Sequence, residues 1–145
     1  MRTFSLGAGA DVVKFTSASS ADANTIIGFS TTGTKKDKLS FDKTNVFKAA
    51  ASADAFTAAN GNTTTIASDE VYKGTATQIK AIKNSSSDAL GTTFAIATDT
   101  GEIYAVTDKG GNSGVVDTVV IGSVDAAAAV AITSAVTFSD FILLA

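Results

Sequence analysis

The sequence predicts a mainly β domain, a β-sandwich or β-roll-like arrangement with one or two short helices. Three observations predict it. Val and Ile number 22 against 5 Leu, with 21 Thr beside them; β-branched side chains lose χ1 freedom in helices and pack well on a pleated surface. Of the 65 apolar residues 26 are Ala, so 39 larger side chains remain to build a core, and they fall in short runs of strand length. There is no Pro, and Gly, Asn and Asp clusters separate the runs, so these residues make every turn.

Residues 3–6 and 12–15 read as short strands around the tight segment Gly7-Ala8-Gly9-Ala10-Asp11. Thr25 to Phe29 and Lys38 to Phe41 are the next strands, separated by a loop with Gly33 and two lysines. At 43–51 the pattern changes: Asp42 can cap, and Val46, Phe47, Ala50 and Ala51 recur at helical spacing, which predicts a helix. Asn60-Gly61-Asn62 is a turn, and strands are expected at 64–73 and 77–83, joined at Gly74. Thr92 to Ala97 and Glu102 to Val106 flank Asp99-Thr100-Gly101, the turn chemistry of a hairpin. Val115 to Ile121 is a strand, and 125–131 stays open between helix and strand, because Ala favours one and the nearby Val and Ile the other. Thr137 to Leu144 reads as an apolar strand or short turn.

Composition removes several functions. Without Cys there is no disulfide framework or thiolate site, and without His no Ser-His-Asp triad or imidazole ligand, so hard, oxygen-liganded cations are what remains. A net charge of −3 gives no basic stripe for a nucleic-acid partner. No run of 18 apolar residues exists to span a membrane. Met1-Arg2-Thr3 leads into a Gly-rich turn rather than an apolar leader, and Met1 reads as a start placed inside a longer protein. Charge is uneven: residues 110–145 contain Asp117, Asp125 and Asp140 but no Lys or Arg.

Two motifs compete with plain turns. Asp99-Thr100-Gly101 matches the triplet with which a dimeric aspartic protease pairs two carboxylates, yet its place between alternating strands makes it a hairpin turn, and no enzymatic function is expected. Asp108 to Asn112 has the look of a calcium loop, but an EF-hand would need Glu where Val119 stands.

Leu6-Gly7-Ala8-Gly9-Ala10-Asp11-Val12-Val13-Lys14-Phe15 resembles the last calcium-binding nonapeptide of repeats-in-toxin proteins and their surface-layer relatives, with Leu6 in place of the first Gly. Asn24 to Phe29 and Asp37 to Phe41 resemble the segment after those repeats, although Asn24 and Gly28 replace its acidic positions. Residues from Thr92 onward look like the terminal module of type I secreted proteins, ending in Asp140-Phe141-Ile142-Leu143-Leu144. The resemblance implies a single domain, 1–145: the end of a calcium-binding β-roll (1–41), an insertion packing on the sheet (42–91) and a secretion module (92–145). It implies calcium held around Gly7, Gly9, Asp11, Asn24 and Asp37. It implies recognition of Asp140 to Leu144 by an ABC-type exporter, and a secreted or cell-surface location. Self-association in a surface lattice or adhesin is the alternative role.

Overall fold

The computed structural model describes residues 1–16, 19–20, 23–42, 56–58, 71–83, 92–108, 116–132, 135–137 and 141–144. The hairpin around Asp99 forms and is the centre of the larger sheet. Strands β7 (Thr92–Ala97) and β8 (Glu102–Asp108) pair antiparallel, Phe94 opposite Ala105 and Ile96 opposite Ile103. Successive strand side chains point to opposite faces, and on this hairpin both faces are apolar. Phe94, Ile96, Ile103 and Ala105 enter one core; Ala95, Ala97, Tyr104 and Val106 enter a second. The sheet therefore has to be covered on both sides.

β9 (Val116–Ser123) pairs antiparallel with β8, with a register shift between Ile103 and Tyr104. On the other side of the hairpin, β6 (Val71–Gly74) and β5 (Phe56–Ala58) add in parallel.

The first forty residues wind back and forth between two sheets. β1 (Thr3–Ser5) pairs in parallel with β3 (Asn24–Ile27), and β2 (Val12–Phe15) in parallel with β4 (Lys38–Asp42). β1 and β3 extend the larger sheet, whose order is β1-β3-β9-β8-β7-β6-β5. β2 and β4 belong instead to a second sheet, which continues into β11 (Phe141–Leu144) and β10 (Ala135–Thr137) in the order β10-β11-β4-β2. Residues 6–11 thus form a corner between sheets. A column of rings joins the layers: Phe15 stacks on Phe41 at 4.9 Å, and Phe41 lies tilted against Phe94 at 3.9 Å, centroid to centroid.

The protein is mainly β, with two short helices among the described residues. The expected strand at 77–83 is instead helix α1 (Ala76–Lys80), which covers the second face with Ala76 and Ile79. The reason is local. Thr75 and Gln78 close a capping box, each side chain bonding the other's backbone N–H. That reciprocal satisfaction of end groups outweighs the modest β preference of Thr and Ile. The open segment 125–131 resolves as helix α2 (Ala126–Ala131), placing Ala128 and Ala129 in the first core. Small Ala side chains let that helix lie close to the sheet. Lys73 of β6 fastens its far end, donating from Nζ to the carbonyls of Val130 (2.5 Å) and Ile132 (2.6 Å). Partial burial holds the Lys73 ammonium below its ordinary pKa. The helix expected at 43–51, and the first seven residues of the strand expected at 64–73, lie outside the described residues.

Two glycines are fixed by close approach. Gly101 has φ +73°, and a Cβ there would stand 1.9 Å from the Val124 carbonyl oxygen. At Gly122 an added Cβ would meet the Phe15 ring at 2.8 Å. Gly33 shares the left-handed backbone (φ +84°) but faces open space. Gly33→Ala should therefore lose ~1–2 kcal/mol, from backbone conformation alone. Gly101→Ala should lose more than ~4 kcal/mol, because the hairpin must also part from Val124. Urea unfolding of both variants measures the difference; equal losses would mean that the contact with Val124 does not matter.

Candidate functional site

The residues expected to hold calcium fall into two places. Gly7, Gly9 and Asp11 form the first corner, and Asp37 reaches it from the β3–β4 loop, just before β4. Asp37 is completely buried. Its Oδ1 accepts the Asp11 N–H at 2.9 Å, and its Oδ2 accepts the Ser30 N–H at 2.7 Å. The backbone closes the same junction, since the Asp37 N–H donates to the Ser30 carbonyl and the Lys38 N–H to the Asp11 carbonyl, both at 2.8 Å. One carboxylate therefore ties the β1–β2 corner to the β3–β4 loop. Such charge-assisted bonds are the strong ones, and burying a carboxylate is tolerable only when it is satisfied in this way.

Gly9 and the Asp11 carboxylate lie together: a Cβ added to Gly9 would be 3.9 Å from both Asp11 carboxylate oxygens. Gly7 has open space around it. Asn24 is elsewhere. It begins β3, at the end of the strand away from the corner, and its Oδ1 accepts the Arg2 N–H at 3.2 Å. Gly28, the other replaced acidic position, has φ +75° and donates its N–H to Asp125 Oδ2 at 3.3 Å. Asp125 stands at the N-cap of α2, yet its side chain makes no bond to its own helix and reaches this loop instead.

Calcium takes oxygen ligands, carboxylates and carbonyls together. The corner matches in kind, offering the Asp11 carboxylate and the backbone of a Gly-rich turn. Asp37 is already committed to two N–H donors. Among the described residues, no cluster of three or more acidic side chains could hold a metal ion. A site here would rest on one carboxylate and main-chain carbonyls, a donor set low in charge.

Asp99-Thr100-Gly101 is the turn between β7 and β8. Asp99 is exposed, and its Oδ1 accepts the Ala76 N–H at 2.8 Å, joining the hairpin to the first turn of α1. Beside it, the Thr100 hydroxyl and the Tyr104 hydroxyl both donate to Glu102 Oε2. Tyr104 is raised well above its ordinary pKa, first by burial, then by the hydrogen bond to Glu102, then by the charges of Glu102 and Asp99. Asp140 lies outside the described residues. Phe141 to Leu144 are β11, held between β4 and β10 with Phe141 opposite Asp42 and Leu144 opposite Leu39.

Sequence reasoning missed Asp125 and Lys73 as links between elements. Each is a polar residue meeting main chain far away in sequence, and no local pattern announces such a pairing. The capping box at Thr75 and Gln78 was readable.

No family model, curated protein or solved structure matches the chain. No helix among the described residues is long and apolar enough to cross a membrane.

Asp37→Ala removes both acceptors and strands two N–H groups; by urea unfolding it should lose ~3–5 kcal/mol. Asp99→Asn keeps an acceptor for Ala76 and should lose less than ~1 kcal/mol. A small loss at Asp37 would mean that water replaces the clamp. Alkaline pH gives a second check. Below about pH 10, the ordinary tyrosine value, both folded and unfolded chains hold the Tyr104 proton. Above it the unfolded chain releases the proton while the folded chain retains it, so stability falls as pH rises. Unfolding measured from pH 8 to 11 should show this fall, and Tyr104→Phe should flatten it.

Proposed function

We propose that this chain is a non-enzymatic folding module of a secreted or cell-surface bacterial protein, related in design to the repeats-in-toxin and surface-layer proteins. Calcium assists its folding at the Gly7–Asp11 corner, and its last strand serves an ABC-type exporter before folding. The observation that carries the reading is the winding of residues 3–42. Four strands alternate between two sheets, like pairing with like in parallel, and the Gly-x-Gly-x-Asp segment stands at the first change of sheet. That is the path a calcium-binding β-roll takes, and a cation there would draw together carbonyls that otherwise repel.

The low charge of the donor set assigns the weak affinity class of extracellular modules, roughly 0.1–1 mM. Such a site would be empty inside a cell and filled outside it, where the cation would favour folding after export. The segment Asp140 to Leu144 has an acidic residue followed by apolar ones. In the folded protein its last four residues are built into the second sheet. An exporter would therefore read this segment only in the unfolded chain.

Thermal unfolding in 10 mM calcium and in chelator tests the metal. At 10 mM the cation is in ten- to hundredfold excess over that Kd and stabilises by about 1.4–2.7 kcal/mol, which for a domain of this size raises Tm by roughly 3–10 °C. Asp11→Asn should abolish the shift. No shift in the parent chain would overturn calcium and leave a coil closed by Asp37 alone. For export, the chain fused behind a passenger is co-expressed with a type I exporter. Deleting residues 140–144 should stop secretion, and unchanged secretion would end that part of the reading.

A further inference from the structure

The two sheets do not end together. The Phe15 ring of β2 packs against Gly122, so the edge of the smaller sheet lies over β9. In the larger sheet two more strands, β3 and β1, continue beyond that point. A ledge two strands wide therefore extends past the smaller sheet. Above it is a cavity of about 480 Å³. Phe4, on the inner face of the ledge, and Leu6 line its open side, the buried Ile26 and Ile121 line its interior, and one wall is β2 itself, residues 12–15 in unbroken succession. Consecutive residues alternate faces, so a wall that includes all of them is the strand's backbone edge.

Among the described residues β2 is the last strand of its sheet, and an edge strand presents a row of N–H and C=O groups to whatever lies beside it. Two apolar side chains at this end are exposed, Phe4 at 45% and Val12 at 59%, while Phe15 and Ile26 beside them are buried. Phe4 is in register with Ile26 of the first core, so its ring lies on the inner face of the ledge. Among the described residues lining the cavity the single charge is Lys14, which is exposed, and Arg2 is exposed beside β1. No acidic side chain lines it among those residues.

We infer that this gap receives an extended peptide strand of a partner, in which apolar and acidic residues alternate. The edge of β2 would supply a main-chain ladder continuing the one it forms with β4, the mode of strand addition. Every second side chain of the incoming strand enters the cavity over Phe4 and Leu6, which calls for apolar residues. The others emerge beside Lys14, where an opposite charge across the strands is favoured. A second copy of this chain suits the gap less well, since it would bring another Arg2 and Lys14 to the same edge. The inference is independent of calcium and of export.

The probe is acetyl-Val-Glu-Val-Glu-Val-amide, titrated into the ¹⁵N-labelled full chain. Saturable shifts are expected at Phe4, Val12, Val13, Lys14 and Ile26. Replacing both Glu of the peptide by Lys should weaken binding at least fivefold, and Lys14→Glu in the protein should reverse that preference. Two analogues N-methylated at alternate residues separate ladder from grease. The one methylated on the edge facing β2 should bind at least tenfold more weakly, while the other keeps its affinity. No saturable shift, equal binding of the two analogues, or an indifference to charge would each overturn the proposal. So would shifts of these same signals with protein concentration in the absence of peptide, which would assign the gap to a second copy.

Discussion

The fold depends on a single buried carboxylate. A chain that passes twice from the larger sheet to the smaller leaves two loops at one corner, and loop backbone buried there needs partners that neither sheet can give. Asp37 supplies them, each oxygen taking an N–H from a different loop, Asp11 on one side and Ser30 on the other. A neutral side chain could accept one of these bonds well and would turn a donor toward the other. The clamp places β2 and β4 in register, and with them Phe15 and Phe41, whose rings carry the contact across to Phe94. The aromatic column follows from the corner.

The other organising feature is the two-faced hairpin. Because β7 and β8 are apolar on both sides, the larger sheet is a middle layer, with the smaller sheet and α2 on one face and α1 on the other. Each helix is attached by a polar side chain of a strand or turn of that sheet. α1 is held by Asp99 at its first turn and α2 by Lys73 at its last. The Asp-Thr-Gly triplet, which by sequence could suggest catalysis, is in place as the turn that receives α1 and passes close to Val124.

Strands were legible wherever β-branched residues ran between Gly, Asn or Asp, as at residues 12–15, 38–41, 92–97 and 102–106. The hairpin was legible from its turn alone. The segment after Gly74 reads as strand by its Thr and Ile, and the cap formed by Thr75 and Gln78 overrides that preference. The corner at Gly7 to Asp11 was recognised as a tight segment. That it joins two sheets is implied only by the likeness to a β-roll, because parallel pairing between β1 and β3, or between β2 and β4, leaves no mark in local sequence. The site was legible as residue types only. Asp37 and Asp11 come together, Asn24 does not, and that grouping is decided by topology rather than spacing.

The placement of β11 has a kinetic side. The strand between β10 and β4 comes from the last residues described, pairing Leu39 with Leu144 and Asp42 with Phe141, while β3 in the other sheet pairs with β9. Neither sheet can be completed from neighbouring sequence. Each needs its two ends brought together across most of the chain, and such high contact order slows folding toward the millisecond-to-second range. A chain emerging N-terminus first would leave β4 paired on its β2 side alone until residues 141–144 were released. Whatever fixes the time at which residues 141–144 become available fixes when this domain can close.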